Sequence, residues 1–236
     1  MMRGTFVSLG IVAAVSVVFF FLFLIYVLLA SGDADYWSGE IAEFERRDIS
    51  NPPPAGALVF VGGRDVRQWE TLKLDMAPLE IINRGFGGAH LDHVTHYAAR
   101  IIKPYDPKAI IVIAGEEDMA DVRGRTPEDM LERFKVFMSA LRAHGVTADV
   151  VFVSIRPSPS RESRWLGAKR ANSLIEEFAE TRDDILFIDT ASLMFDEEGR
   201  MRDDLFRWDG LSLSDEGYHL LSARLRPILM RRYFNE

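Results

Sequence analysis

From Ala57 onward the chain alternates two hydrophobic patterns. Short, continuous apolar runs occur at Ala57–Val61, Ala109–Ala114, Asp149–Ile155 and Ile185–Ile188, with a shorter and less apolar one at Glu80–Ile82. Unbroken apolar runs suit strands covered on both faces, as in a parallel sheet. Between them, apolar residues recur every three or four positions, which is the period of a helix with one buried stripe. The clearest case follows the third strand. Thr126 is placed to cap it, Pro127 takes its first turn, and Asp129 completes a capping box. Met130, Phe134, Phe137, Met138 and Leu141 form its stripe, and Gly145 stops it. A last helix starts near Ser214 and runs through Leu220, Leu221, Leu225 and Leu229, with Pro227 expected to kink or shorten it. Five strands with intervening helices predict an α/β fold over residues 57–236. Its form is a three-layer α/β/α, flavodoxin-like domain with a parallel five-stranded sheet and right-handed crossovers.

The N-terminal pattern is different. Phe6–Ala30 carries no charge and is rich in Phe, Val, Leu and Ile. As a helix rising ~1.5 Å per residue it measures about 37 Å, enough to cross a hydrocarbon core of about 30 Å with some tilt. A cleaved secretory signal is the alternative. Its apolar region is shorter and ends in an Ala-x-Ala-like site, which Leu28-Leu29-Ala30 matches poorly. Residues 1–31 are therefore expected to be a cytoplasmic tip and transmembrane anchor. Arg3 precedes the span while Asp33, Asp35 and Glu40 follow it, which places the domain outside the cytoplasm. Residues 32–56 read as a juxtamembrane helix, with Trp37, Ile41 and Phe44 at helical spacing, lying on the domain or, alternatively, standing as a stalk. A stiff connector follows at Asn51-Pro52-Pro53-Pro54.

Composition narrows the function. Apolar residues make up 48% of the 236, as in a globular protein. A formal net charge of −8 argues against nucleic acid and anionic membrane surfaces as partners. With no cysteine, disulfides, thiolate nucleophiles and Cys-ligated metals are excluded.

In doubly wound sheets ligands bind at the carboxyl ends of the strands. The loops there read Gly62-Gly63-Arg64-Asp65, Asn83-Arg84-Gly85-Phe86-Gly87-Gly88, Gly115-Glu116-Glu117-Asp118 and Arg156-Pro157-Ser158-Pro159-Ser160-Arg161. Asp209-Gly210-Leu211-Ser212 and Gly217-Tyr218 come later. In this order and spacing, from about Trp37 to Tyr233, the chain resembles bacterial SGNH (GDSL-type) hydrolases, which are esterases and acyl hydrolases. The resemblance implies a serine nucleophile after the first strand, where this chain has Arg64. It implies oxyanion donors at a glycine, matched by Gly88, and at an asparagine, where the chain has Glu117. It implies an Asp-x-x-His pair, where Asp209 is matched and the histidine position is Ser212. No catalytic residue is then expected. An arginine offers no nucleophilic lone pair, a carboxylate repels an oxyanion, and a serine is no base near neutral pH.

Other chemistry is open to these residues. His90, His93 and His96, with Asp92, are spaced along one helix face as metal ligands might be, or as ordinary polar positions; no metal site and no cofactor is expected. Asp65, Glu116, Glu117, Asp118 and Asp209 form either a carboxylate cluster for acid–base work or an ordinary set of loop contacts. In the second case Asp118 bonds the loop and Glu116 faces solvent. Arg156 and Arg161 suit an anionic ligand or acidic neighbours. The ligand-binding candidates are Arg64, Asp65, Asn83, Gly88, Glu117, Arg156 and Arg161. Arg64 and Glu117 are expected within about 4 Å of each other, with Asp209 or Asp65 as a second partner of the arginine.

Two functions follow. One is a catalytically inactive binding or scaffold module at the cell envelope, single-pass in the bacterial cytoplasmic membrane with its domain facing the periplasm. Its partner would be an envelope protein or an acylated or glycan ligand. The other is an atypical hydrolase that uses carboxylates instead of a Ser–His pair.

Overall fold

The computed structural model describes residues 15–23, 32–120 and 124–234. The chain divides into two compact units, Met1–Ser38 and Gly39–Glu236. In the first, 15–23 is helical and its Val, Phe and Leu side chains are exposed. The rest of the expected span Phe6–Ala30 lies outside the described residues. No described helix is long and apolar enough to cross a membrane.

The second unit is built on five parallel strands, β1 (Leu58–Gly62), β2 (Ile81–Gly85), β3 (Ala109–Ile113), β4 (Asp149–Val153) and β5 (Ile185–Ile188), in the order β2-β1-β3-β4-β5. β1 and β3 are buried at every position, as their unbroken apolar runs require. The weakest run, Glu80–Ile82, proves to be the start of an edge strand that continues through Asn83 and Arg84. An edge strand needs less apolar cover, which is why its polar half escapes a hydrophobicity reading. The order places β1 and β3 side by side, so their following loops open into one cleft.

Helices cover both faces. Phe134 of the capped helix (Pro127–Ala143) packs on Phe152 of β4, with ring centroids 4.9 Å apart. On the other face, Leu58 and Phe60 share a core with Leu221, Leu225 and Leu229 of the last helix (Asp215–Tyr233). Ser214 caps that helix by accepting from Gly217 N–H at 3.2 Å. Pro227 does not shorten it. The helix runs on to Tyr233 because the flanking Leu225 and Leu229 stay fully buried on either side of the missing N–H.

The helix Ser38–Ser50 belongs with this unit from Gly39 on. Ile41 and Phe44 are buried. Glu45 accepts two 2.7 Å bonds from Arg100, and Asp48 accepts from both Arg84 and Tyr105. Glu40 accepts from Gly87 N–H at 3.1 Å, tying the helix to the loop after β2.

Candidate functional site

Two chain reversals create the cleft. After β1, Gly62 takes φ +149°, and a Cβ there would sit 1.9 Å from the Ile113 carbonyl oxygen of β3. Only glycine allows that approach, and it aims the next residues, Gly63 and Arg64, over the sheet's end. After β3, Ala114-Gly115 turns the chain into a short helix, Glu116–Ala120, so Glu116 and Glu117 enter the same space.

There the charges alternate. Arg64 donates to Glu117 Oε1 at 3.1 Å, and Arg161 donates to Glu117 Oε2 at 2.8 Å. The Glu117 carboxylate lies against Gly88, where a Cβ would be 3.4 Å from Oε1. Arg161 also lies 3.6 Å from Glu116 Oε1. Glu116 accepts from the Ser158 hydroxyl at 3.1 Å and sits 3.1 Å from Arg156. Arg156 grips both Asp65 oxygens at 2.7 Å through Nε and Nη2, and Nη2 reaches the Leu211 carbonyl at 2.8 Å. Arg156 and Asp65 are 4% and 9% exposed, so this is the buried root of the cluster. A planar guanidinium facing a carboxylate is the strongest form of such a bond.

Burial pushes the Glu116 carboxyl up to about 7. Asp65 and Glu117 push the same way, against the attraction of Arg156 and Arg161. For Arg156, burial favours the neutral form, yet Asp65 and Glu116 outweigh it and hold the guanidinium charged. Asp209 is the reverse of Glu116. Burial pushes it up, but N–H bonds from Leu211 (2.9 Å) and Ser212 (2.8 Å), the Ser212 hydroxyl (2.7 Å) and the Arg64 charge hold it below the usual range.

The structure brings Arg64, Asp65, Gly88, Glu117, Arg156 and Arg161 together, and Ser212 onto Asp209. The expected Arg64–Glu117 contact is present. Its expected second partners are not hydrogen-bonded to Arg64. Asp65 is fully engaged by Arg156, Asp209 acts on Arg64 only through its charge, and Arg161 takes the second place on Glu117 instead. Asn83 lies outside the cluster's bonds. Its amide donates to the Val66 carbonyl in the segment after β1 and its oxygen accepts from Gly85 N–H at the end of β2, so the side chain ties the ends of these two neighbouring strands together. Glu116 does not face solvent; its side chain is 15% exposed and has three partners. Adjacent acidic residues in sequence gave no sign of which would be buried. Asp118 bonds the loop, accepting from Leu91 N–H at 3.0 Å and Arg125 at 3.2 Å. Among the described residues no three His, Cys, Asp or Glu side chains converge as metal ligands. His93 Nδ1 accepts from His90 N–H at 3.3 Å at the start of its helix.

With this geometry in place, similarity to known proteins was decisive. The profile of the GDSL-like Lipase/Acylhydrolase family matches residues 54–220. The chain belongs to that family. A search of curated proteins returned no match. Solved structures share the fold. A candidate platelet activating factor from Streptococcus pneumonia is 21% identical with a TM-score of 0.67, covering 81% of this chain and 92% of that one. A candidate acylhydrolase from Bacteroides fragilis is 18% identical with a TM-score of 0.68, covering 80% and 94%. A GDSL-like lipase from Bacteroides thetaiotaomicron is 18% identical with a TM-score of 0.67, covering 81% and 98%. The GDSL-like domain thus accounts for nearly all of the larger unit, and the alternating charges lie at the sheet end where doubly wound folds bind ligands.

Proposed function

We propose that this GDSL-like protein is a membrane-anchored, non-catalytic binding or scaffold module of the bacterial cell envelope. The observation that carries the reading is the Glu117 carboxylate held by Arg64 and Arg161 against Gly88. Family resemblance puts the nucleophile at Arg64, one oxyanion donor at Glu117 and the base at Ser212. A substrate carbonyl would meet a carboxylate where it needs N–H donors, and a guanidinium where it needs a hydroxyl. In subtilisin, losing the serine or histidine alone costs about 10⁶ in turnover. The Ser212 hydroxyl donates a hydrogen bond to Asp209, which leaves that carboxylate no imidazole to orient. The cavity beneath the cluster is about 30 Å³, space for a couple of waters. The anchor reading rests on the uncharged stretch Phe6–Ala30 and its acidic flank, and puts the domain in the periplasm. A partner there would be an envelope protein or an acylated or glycan ligand.

Purified protein is expected to show no turnover of short acyl esters. Installing Arg64→Ser, Glu117→Asn and Ser212→His together should bring weak activity, since Gly88 and Asp209 are in place. Turnover by the wild type that vanishes in Asp209→Ala would overturn the reading.

A second reading, an atypical hydrolase, has one observation in its favour. Glu116 is raised to about 7, near the ideal for a general base, and Ser158 Oγ donates to it at 3.1 Å. Ser158 is 1% exposed and the carboxylate is shared with two arginines, which leaves a substrate no approach. Wild-type turnover abolished by both Ser158→Ala and Glu116→Gln would establish it over the first.

A further inference from the structure

Of the three carboxylates in the cluster, Glu117 is held differently. Asp65 is gripped by one guanidinium, and Glu116 is bonded by Ser158 between two arginines. Glu117 receives one hydrogen bond on each oxygen from arginines on two separate loops, Arg64 after β1 and Arg161 after β4. Those two donors converge on a point beside Gly88 that has room for a planar carboxylate. Without Glu117 the space between Arg64 and Arg161 would lose one negative charge and one partner for each arginine.

We propose that Arg64 and Arg161 form a carboxylate-binding clamp that the chain's own Glu117 keeps occupied, so that a small carboxylate ligand enters this cleft only in exchange for that side chain. The proposal rests on the non-catalytic reading and gives it a ligand class. The class is a monoanionic carboxylate for two reasons. Two in-plane oxygens each take one donor, and the negative charge that Glu117 vacates is one. A phosphate dianion would bring a second negative charge toward Glu116, whose Oε1 is 3.6 Å from Arg161. The tethered Glu117 competes at an effective concentration in the millimolar range or above, so ligands below that range leave the clamp closed.

Truncation supplies the test. Glu117→Ala removes four heavy atoms, two carbons and two oxygens, and acetate restores the same four. The variant is titrated with sodium acetate against sodium chloride at matched ionic strength, with the unfolding midpoint and ¹³C-acetate line width as readouts. Saturable stabilisation and line broadening by acetate, absent with chloride, is the expected result, and it should disappear in Glu117→Ala/Arg161→Ala. The wild type should need at least about tenfold more acetate for any response. Should Glu117→Ala be unfolded in chloride, acetate should restore its native circular dichroism. A variant that ignores acetate in every readout overturns the clamp, as does an equal acetate response in wild type and variant. Neither outcome bears on the ester assay, so a failure of the clamp and a failure of the non-catalytic reading are told apart.

Discussion

Glu116 shows how one residue position changes meaning between sequence and structure. Beside Glu117 and Asp118 it reads as a solvated charge, yet Ser158, Arg156 and Arg161 enclose it and burial lifts its carboxyl from the ordinary 4.5 to about 7. A raised carboxyl binds a proton in the folded state that the unfolded chain has released. Stability from this group is therefore greatest below about pH 4.5 and is lost as pH rises through about 7, by an amount on the order of 3 kcal/mol. Glu116→Gln cannot titrate, so its urea midpoint should fall less than that of the wild type between pH 5 and pH 8. Parallel pH profiles for the two proteins would place the Glu116 carboxyl at its ordinary value. A solvent-facing Glu116 and a Glu117 paired with Arg64, as the sequence suggests, would make Glu117→Gln the far more destabilising of the two glutamine substitutions. The structure leaves Glu117→Gln facing two arginines it no longer neutralises, so that substitution should lower the midpoint at neutral pH, whereas Glu116→Gln replaces a carboxyl that burial already drives toward its neutral form.

At the scale of elements, the helix Ser38–Ser50 lies on the domain, as its apolar stripe predicts, and is no free stalk. Its stripe of Ile41 and Phe44 was legible as helical spacing, and both side chains are buried. The contacts that fix it come from elsewhere in the chain: Arg100 to Glu45, Arg84 and Tyr105 to Asp48, and Gly87 N–H to Glu40. The last of these braces the loop that carries Gly88, so the helix supports the floor of the cleft as well as the edge of the sheet. Ile41 is fully buried, and Ile41→Ala should cost about 2–5 kcal/mol in chemical unfolding. If the helix were only a stalk, the loss would be within about 0.5 kcal/mol, as at a surface site.

For the whole molecule, the proposal of an envelope module makes a statement about topology. Protease added to intact spheroplasts of cells making the full chain should digest Gly39–Glu236, and detergent should not be needed. Protection of that domain until lysis would reverse the orientation, and recovery of the domain in the soluble fraction would remove the anchor. The fold itself is consistent across levels. Alternating strand and helix patterns, the Thr126–Asp129 capping box and the Ser214 cap all point to the three-layer arrangement that is observed.

The sequence by itself determined the α/β class, the five strands and the loops that carry the cleft, because buried parallel strands and capped helices follow from local periodicity. The family resemblance added the expectation that Arg64 and Glu117 would meet, since the positions they occupy face one oxyanion in that family. Tertiary structure decided the rest. That Asp65 goes to Arg156 and Glu117 to Arg161 depends on which guanidinium reaches which carboxylate across loops far apart in sequence. That Glu116 is enclosed, and that Asn83 is spent on the Val66 carbonyl after β1, depends on depth below the surface and on strand pairing. Pairing and depth are long-range quantities, and no local pattern of residues encodes them.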